Sequence, residues 1–536
     1  MNCAKTCFAL IIAVTIAAAA LRLPRLEQRP MHGDEAVHAV KFGRLLEEGF
    51  YEYDPYEYHG PTLNYLTLLP AWIGGQSRLA EVDEFTLRIV PVFFGVVLVL
   101  LLVLVVDGLG KNAAIAAAVF TAISPAFVFY SRYYIQEILL VCFTFGIIAC
   151  GYRYVRSRKV AWLLSAGMFA GLCHATKETC IIAFGSMGLA LLVTLLIKHR
   201  AGHSALSVFR TVKWRHYVWA VGVALVVSVL FHSSFLTHPG GIVDSVRTYA
   251  TYFDRAGENE LHIHPWYYYL RILLYTRYAG APVWSEALIV VLAVIGFVVA
   301  MTKRGVAGAD YGLLRFVGFY TLIMVVVYSG VSYKTPWCLL SFLHGMILLA
   351  GVGVVAIVRA TRGVLLRLIV VLFLVLFSLQ LGWQALQSSY KYYTDTRNPY
   401  VYAHPVEDVL TVAERVEEIA EAQPEGYRMH IQVICPGHDH WPLPWYLRNF
   451  DKGTIDWWDE VEEDVAAAPV IIASPSVEPA LVGKLARQSL SYVPLFNLYK
   501  ELRPQVEIRG YVAKEVWDKY QQRRVELLLS QSRGGK

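Results

Sequence analysis

Charge is what this chain has least of. Asp, Glu, Lys and Arg make up 17% of its 536 residues, against 56% hydrophobic ones. Soluble domains carry about 25% and about 45–50% respectively. The shortage excludes a string of soluble domains, a disordered chain, a collagen-like repeat and a charge-rich coiled coil, and it leaves a polytopic membrane protein. Cysteines are few and scattered. The eight of them form no CxxC pair and mostly lie in or beside apolar runs, which points to small buried hydrophobes rather than a disulfide frame or a zinc site. There is no GxGxxG, P-loop or HExxH string, no internal repeat and no low-complexity stretch beyond the polar end at 530–536. The net charge of +6 is read as basic cytoplasmic loops, so no nucleic-acid partner is expected.

What is abundant is long apolar segments. A helix needs about 20 such residues to cross a bilayer, and spans are predicted near 7–22, 88–106, 113–130, 136–151, 161–174, 180–197, 217–235, 285–301, 316–331, 338–358 and 364–384. A cleavable signal is the alternative for the first, which is short and Ala-rich. Alternate loops differ sharply in basic residues. Lys111, the group Arg153 to Lys159, the group Lys198 to Arg215, Lys303, Arg304, Arg315, Arg359, Arg362 and Arg367 are packed into short connections. Positive-inside bias makes that set cytoplasmic, with the N-terminus inside and the tail outside, at the periplasmic or external face. After Gln384 the composition changes, and short β-like runs alternate with helical ones. The expected organisation is a transmembrane domain over 1–384 and an external α/β domain over 385–536.

The unusual residues fall on the outside loops. Asp34-Glu35 sits a dozen residues past the first span; because an apolar-periodic helix follows, Asp34 reads as a helix N-cap that could double as a base. His32, His38 and His59 read as surface or packing histidines. Arg132 and Glu137 flank a tight turn, where a snorkelling Arg and an interfacial Glu are the ordinary reading. Lys177, Glu178 and Lys334 are less ordinary, because each lysine defies the charge bias in a loop too short to wander. A phosphate near the outer face would use such point charges. Lys177 and Glu178, adjacent in sequence, would not pair on one helix face. In the C-terminal domain, Trp441, Trp445 and Arg448 follow a strand-like run, His430 to Cys435, and suit acceptor binding at a strand's carboxyl end or a merely structural cluster. The many tyrosines fit an interfacial aromatic belt.

The strings HGDEAVHA, YHGPTLNYL, SRYYIQE, ATKET, YKTPW, RNPYVYAHP and HWPLPWYLR give the chain its resemblance. It resembles the GT-C superfamily of membrane glycosyltransferases, in the branch of protein O-mannosyltransferases and aminoarabinose transferases (family 39-like), and is most similar to a prokaryotic subfamily described as flippase-activity-associated. The resemblance implies a polytopic helical fold with about 11 transmembrane helices. It implies a polyprenyl-phosphate-linked sugar as donor and a hydroxyl of a lipid, glycan or protein as acceptor, with membrane lipid around both. Carried onto this chain, it makes Asp34 with Glu35 the catalytic carboxylates and Lys177, Lys334 and Arg132 the ligands of the donor phosphate. Glu137, Glu178, His59 and His264 support them. The WWDYG string of oligosaccharyltransferases is absent, so N-glycosylation is not expected.

The chemistry follows from those groups. A carboxylate takes the acceptor proton, worth roughly 10²–10⁴-fold, while the hydroxyl attacks the anomeric carbon opposite the phosphate and inverts it. Fixed cations stabilise the departing phosphate. No cofactor is required, although a divalent cation could share the phosphate charge. The outside loops are expected to line one outward-facing cavity, with the C-terminal domain over it. Two rivals stay open: a non-catalytic partner that binds the lipid-linked sugar for a glycan flippase, and a transporter. The transporter is disfavoured by apolar span interiors and the lack of a repeat.

Overall fold

Hydropathy alone dictates most of the architecture. The computed structural model describes residues 2–56, 59–200, 213–258, 262–303, 305–306 and 308–534. Among them, eight helices are long and apolar enough to cross a membrane: Lys5–Arg22, Glu84–Leu109, Glu137–Ser157, Cys180–Arg200, Trp214–His232, Tyr311–Gly330, Pro336–Ala360 and Val364–Tyr390. Three shorter apolar helices, Lys111–Ile123, Val160–His174 and Ala287–Thr302, complete the series. These are the eleven segments read from the sequence, and the chain is a multi-pass membrane protein with a C-terminal α/β domain. Arg210 and Arg304, counted above with the cytoplasmic basic residues, lie outside the described residues.

The helices fall into two compact units. The first comprises Met1–Leu26, Arg44–Gly75 and Asp83–Tyr402. Its centre is formed by Glu137–Ser157 and Pro336–Ala360, whose most apolar stretches are 78% buried, whereas those of Trp214–His232 and Val364–Tyr390 are only 6% buried and present their side chains to lipid. Apolar burial against lipid gains little, so close packing between helices carries the core. Glycines make it possible: a Cβ on Gly296 would collide with the Leu349 carbonyl, and one on Gly353 with that of Leu292. The third span breaks at Ser124, whose hydroxyl caps a short second helix, Pro125–Tyr130, with proline at its first turn. The long loop after the first span also contains an apolar helix not foreseen from the sequence, Thr62–Ile73. At 12 residues it is too short to read as a span, and it leaves Leu69, Trp72 and Ile73 exposed. A small hairpin, β1 (Thr276–Arg277) and β2 (Val283–Trp284), precedes Ala287–Thr302.

The second unit comprises Glu27–Gly43, Gln76–Val82 and Ala403–Lys536. Its sheet runs β4-β3-β5-β8-β6, with β3 (Ile431–Ile434), β4 (Ile455–Trp458) and β5 (Val470–Ala473) parallel. The strands β6 (Tyr492–Pro494) and β7 (Lys500–Arg503) both pair antiparallel with β8 (Val506–Ala513). β3 and β5 are buried along their length, the pattern expected of strands covered on both faces. The helix Asp408–Glu421 turns Val409, Val412, Ala413, Val416, Ile419 and Ala420 inward, an apolar stripe at helical spacing. The units part after Tyr402, not at the compositional change after Gln384. The last span runs on to Tyr390, and the residues that follow return to the first unit. Asn398 Nδ2 donates to the Ser388 and Tyr392 carbonyls, and the Tyr400 hydroxyl donates to buried Glu286.

Candidate functional site

Three of the sequence strings meet within the first unit. His59 and Gly60 lie against the loop between Val160–His174 and Cys180–Arg200, so closely that a Cβ on Gly60 would collide with the Ala175 carbonyl. The Thr62 backbone N–H donates to that same carbonyl. His59 Nδ1 pairs with Glu178 Oε2 at 2.8 Å, and the Tyr53 hydroxyl donates to Glu178 Oε1. Burial pushes the Glu178 carboxyl up, but His59 and Lys177 outweigh it and hold the group below its ordinary range. Next to this pair, the buried Lys177 ammonium donates to Glu137, at the start of the span Glu137–Ser157. Lys177 and Glu178 therefore point to different partners, in keeping with the expectation that adjacent residues do not pair.

Lys334 is held differently. Its backbone N–H donates to the His262 carbonyl, and its ammonium donates to the carbonyls of His264, at 3.0 Å, and Val331. Among the described residues no carboxylate pairs with it. Burial lowers the pKa of the amine below its ordinary 10.5, as expected for a cation whose hydration has been replaced by carbonyls alone. His264 stacks on Tyr268 with ring centroids 4.2 Å apart, and the Tyr402 hydroxyl meets His262 Nδ1 at 2.6 Å. Burial, His262 and Lys334 all lower the His264 pKa, so the ring is favoured as neutral. Beside Lys334, the Thr335 hydroxyl meets the Cys338 thiol at 3.3 Å.

Arg132 is anchored to the end of the first span. Its guanidinium donates to the carbonyls of Arg22, Pro24 and Arg25 and to the Tyr390 hydroxyl, and it lies over the Tyr390 ring. A helix end leaves carbonyls without intrahelical partners, and a planar fork of donors satisfies several at once. Arg132 thus fastens the end of the first span.

Asp34 and Glu35 belong to the second unit. The N-cap is His32, not Asp34 as the sequence suggested: the His32 carbonyl accepts from Ala36, and Glu35 Oε2 accepts from the His32 N–H at 2.9 Å. That return bond from the third helical position is half of a capping box. The other Glu35 oxygen takes a 3.0 Å bond from Arg29, whose guanidinium also reaches His404. Glu35 is fully buried, whereas the Asp34 side chain next to it is 54% exposed, its Oδ2 3.9 Å from His32 Nδ1. The helix places consecutive side chains about 100° apart, so one carboxylate faces the core and the other faces out. The Met31 N–H donates to the Tyr446 hydroxyl.

The proposed acceptor group is divided. Trp445 is wholly buried with the Arg448 guanidinium 3.8 Å above its ring, and Arg448 donates to the carbonyls of Val82 and Trp445. These two are packed against each other within the second unit. Trp441 is only partly buried, next to His440, which also packs on Trp457 at the carboxyl end of β4. Burial, then His438, lowers the His440 pKa to about 4. Among the described residues no group of three or more His, Cys, Asp or Glu side chains could hold a metal ion.

Residues 66–232 match the family described as dolichyl-phosphate-mannose-protein mannosyltransferase. No curated protein matches the chain. Among solved structures, ArnT from Cupriavidus metallidurans in the apo state superimposes with a TM-score of 0.61 at 14% identity, covering 94% of this chain and 97% of that one. The same protein bound to undecaprenyl phosphate gives 0.58 at 15% identity with the same coverage. The archaeal oligosaccharyltransferase AglB from Archaeoglobus fulgidus, in complex with an inhibitory peptide and a dolichol-phosphate, gives 0.54 at 12% identity over 90% and 70% of the two chains. The fold is that of the GT-C membrane glycosyltransferases.

Proposed function

We propose that the protein transfers a sugar from a polyprenyl-phosphate-linked donor to an acceptor hydroxyl at the outer face of the membrane. The observation that carries the reading is Lys334: a buried ammonium with carbonyls but no carboxylate around it, among the described residues. Burying a charge without a counter-charge is expensive, and an anionic phosphate at that place would offset the cost. Support also comes from the fold, shared with ArnT bound to undecaprenyl phosphate and AglB with a dolichol-phosphate.

In this reading Lys334 and Lys177 hold the donor phosphate. Asp34 takes the acceptor proton as the hydroxyl oxygen bonds to the anomeric carbon. The carbon–oxygen bond to phosphate breaks, its electron pair leaves with the polyprenyl phosphate, and the anomeric centre inverts. Glu35 orients the helix start that carries Asp34 and is a positioning residue. Glu137, Glu178, His59 and His264 set the lysines and their loops. No step in this scheme needs a metal, so turnover should survive EDTA.

The test is Asp34→Asn, with lipid-linked sugar turnover and donor binding measured side by side. An exposed side chain that does not cap its helix leaves folding unchanged when made neutral. Transfer should fall roughly 10²-fold or more, about 3 kcal/mol of barrier, with donor affinity retained. Near-normal transfer would remove Asp34 as the base. Wild-type protein that binds the lipid yet transfers to no acceptor in a broad panel would establish the non-catalytic partner instead.

A further inference from the structure

The span interiors are not wholly apolar. His344 lies one turn into the helix Leu340–Ala360 and Tyr320 is midway along Tyr311–Gly330. Both line a small cavity with Thr144 and Phe145, from Glu137–Ser157, and Ser341 and Leu348. The two side chains are buried, at 4% and 3% exposure. Neither His344 Nε2 nor the Tyr320 hydroxyl has a hydrogen-bond partner among the described residues. The other polar lining groups are engaged, since Thr144 meets the Cys173 thiol and Ser341 accepts from Tyr328. The imidazole is fixed between rings, edge-on to Phe145 at 4.6 Å and Phe127 at 5.9 Å. A Cβ on the cavity-lining Gly345 would collide with the Thr321 hydroxyl, so the helices cannot close on the space unless the packing beside it shifts.

Two unsatisfied polar groups facing one cavity inside a membrane are costly. Size decides what satisfies them. The centre of a water-sized sphere has about 10 Å³ to occupy, which is the room of roughly one water molecule and far below that of an organic ligand. We propose that a single ordered water sits there, bridging Tyr320 and His344. It donates to whichever of Nε2 and the hydroxyl oxygen accepts, and it returns a bond to the other. The bridge ties together the two helices that flank the Lys334 loop, a role independent of the transfer reaction.

The sign of one substitution separates a wet cavity from a dry one. Tyr320→Phe removes only the hydroxyl. If water bridges the pair, the full-length protein in detergent should melt a few degrees lower, because the water and His344 each lose a partner. If the cavity is dry, deleting an unpaired buried hydroxyl should leave the melting temperature unchanged or raise it, and that result would overturn the proposal. The cost of Tyr320→Phe should shrink in a His344→Leu background, because the bridge is already broken; equal costs in the two backgrounds would also overturn it. In a nanodisc reconstruction that resolves other buried waters, density should lie within hydrogen-bonding distance of both atoms, and an empty cavity at that resolution would refute the bridge.

Discussion

Lys177 and Lys334 look alike in the sequence and differ in the fold. Both are buried cations in short loops between spans, yet Lys177 faces the carboxylate of Glu137 while Lys334, among the described residues, faces only carbonyls. A paired lysine is partly neutralised, so Lys177 adds to the architecture and offers a phosphate the weaker field of the two. A lysine among carbonyl dipoles keeps its whole charge and supplies the stronger field for an anion. The same division recurs in Asp34 and Glu35, where the buried carboxylate is paired and the exposed one faces outward. At each place one residue is tied into the scaffold by a charged partner and its counterpart keeps more of its chemistry.

The sharpest way to break this comparison is to remove Lys177. Lys177→Met would leave Glu137 charged, buried and without its cation, a loss of about 3–5 kcal/mol. Thermal unfolding in detergent should show a large drop, and Lys177→Met with Glu137→Gln should recover most of it. No recovery would mean that the lysine's charge, rather than the pair, matters. Lys334→Ala is expected to act in the opposite way. It removes an uncompensated charge, so stability should change little, while donor affinity falls by roughly 10²-fold, the value of one or two charge-assisted hydrogen bonds. Binding of a polyprenyl-phosphate sugar to the purified variant measures it. Unchanged affinity would move the phosphate away from Lys334.

The sequence disclosed as much of this as local chemistry can encode. Eleven apolar helices, eight of them long enough to span, were legible because hydropathy needs no tertiary knowledge. Thr62–Ile73 was not, because twelve apolar residues inside a long polar loop are too few for a span. The neighbourhoods of His59, Lys177 and Glu137 were legible only as separate strings. Their meeting joins residues 40 and 119 positions apart, which no local spacing reports. The anchoring of the first span by Arg132 was not legible because its partners there are carbonyls, and carbonyls leave no mark in a sequence. The cap was assigned to Asp34 by residue preference, whereas His32 begins the helix and Glu35 returns its bond. His344 escaped notice because one histidine in an apolar run scarcely changes its hydropathy.

The smallest expected effect is the most diagnostic, since it distinguishes Lys334 from a generic basic residue. Burial places the folded-state pKa of Lys334 below 10.5. As pH rises, the folded protein therefore releases this proton before the unfolded chain does. Between the lowered value and 10.5 the unfolded state holds more protons, so this residue's contribution makes stability rise with pH across that window. Donor binding runs the other way. A sugar phosphodiester keeps one negative charge throughout, so affinity should decline as the ammonium is lost, beginning below 10.5. Lys334→Arg, charged at every pH in that range, should bind more weakly at neutral pH but show no such decline. Titrating donor affinity from about pH 7 to about pH 10 in both proteins decides the matter. Parallel curves would show that the pH-dependent group is elsewhere, and that Lys334 owes its burial to the loop rather than to a phosphate.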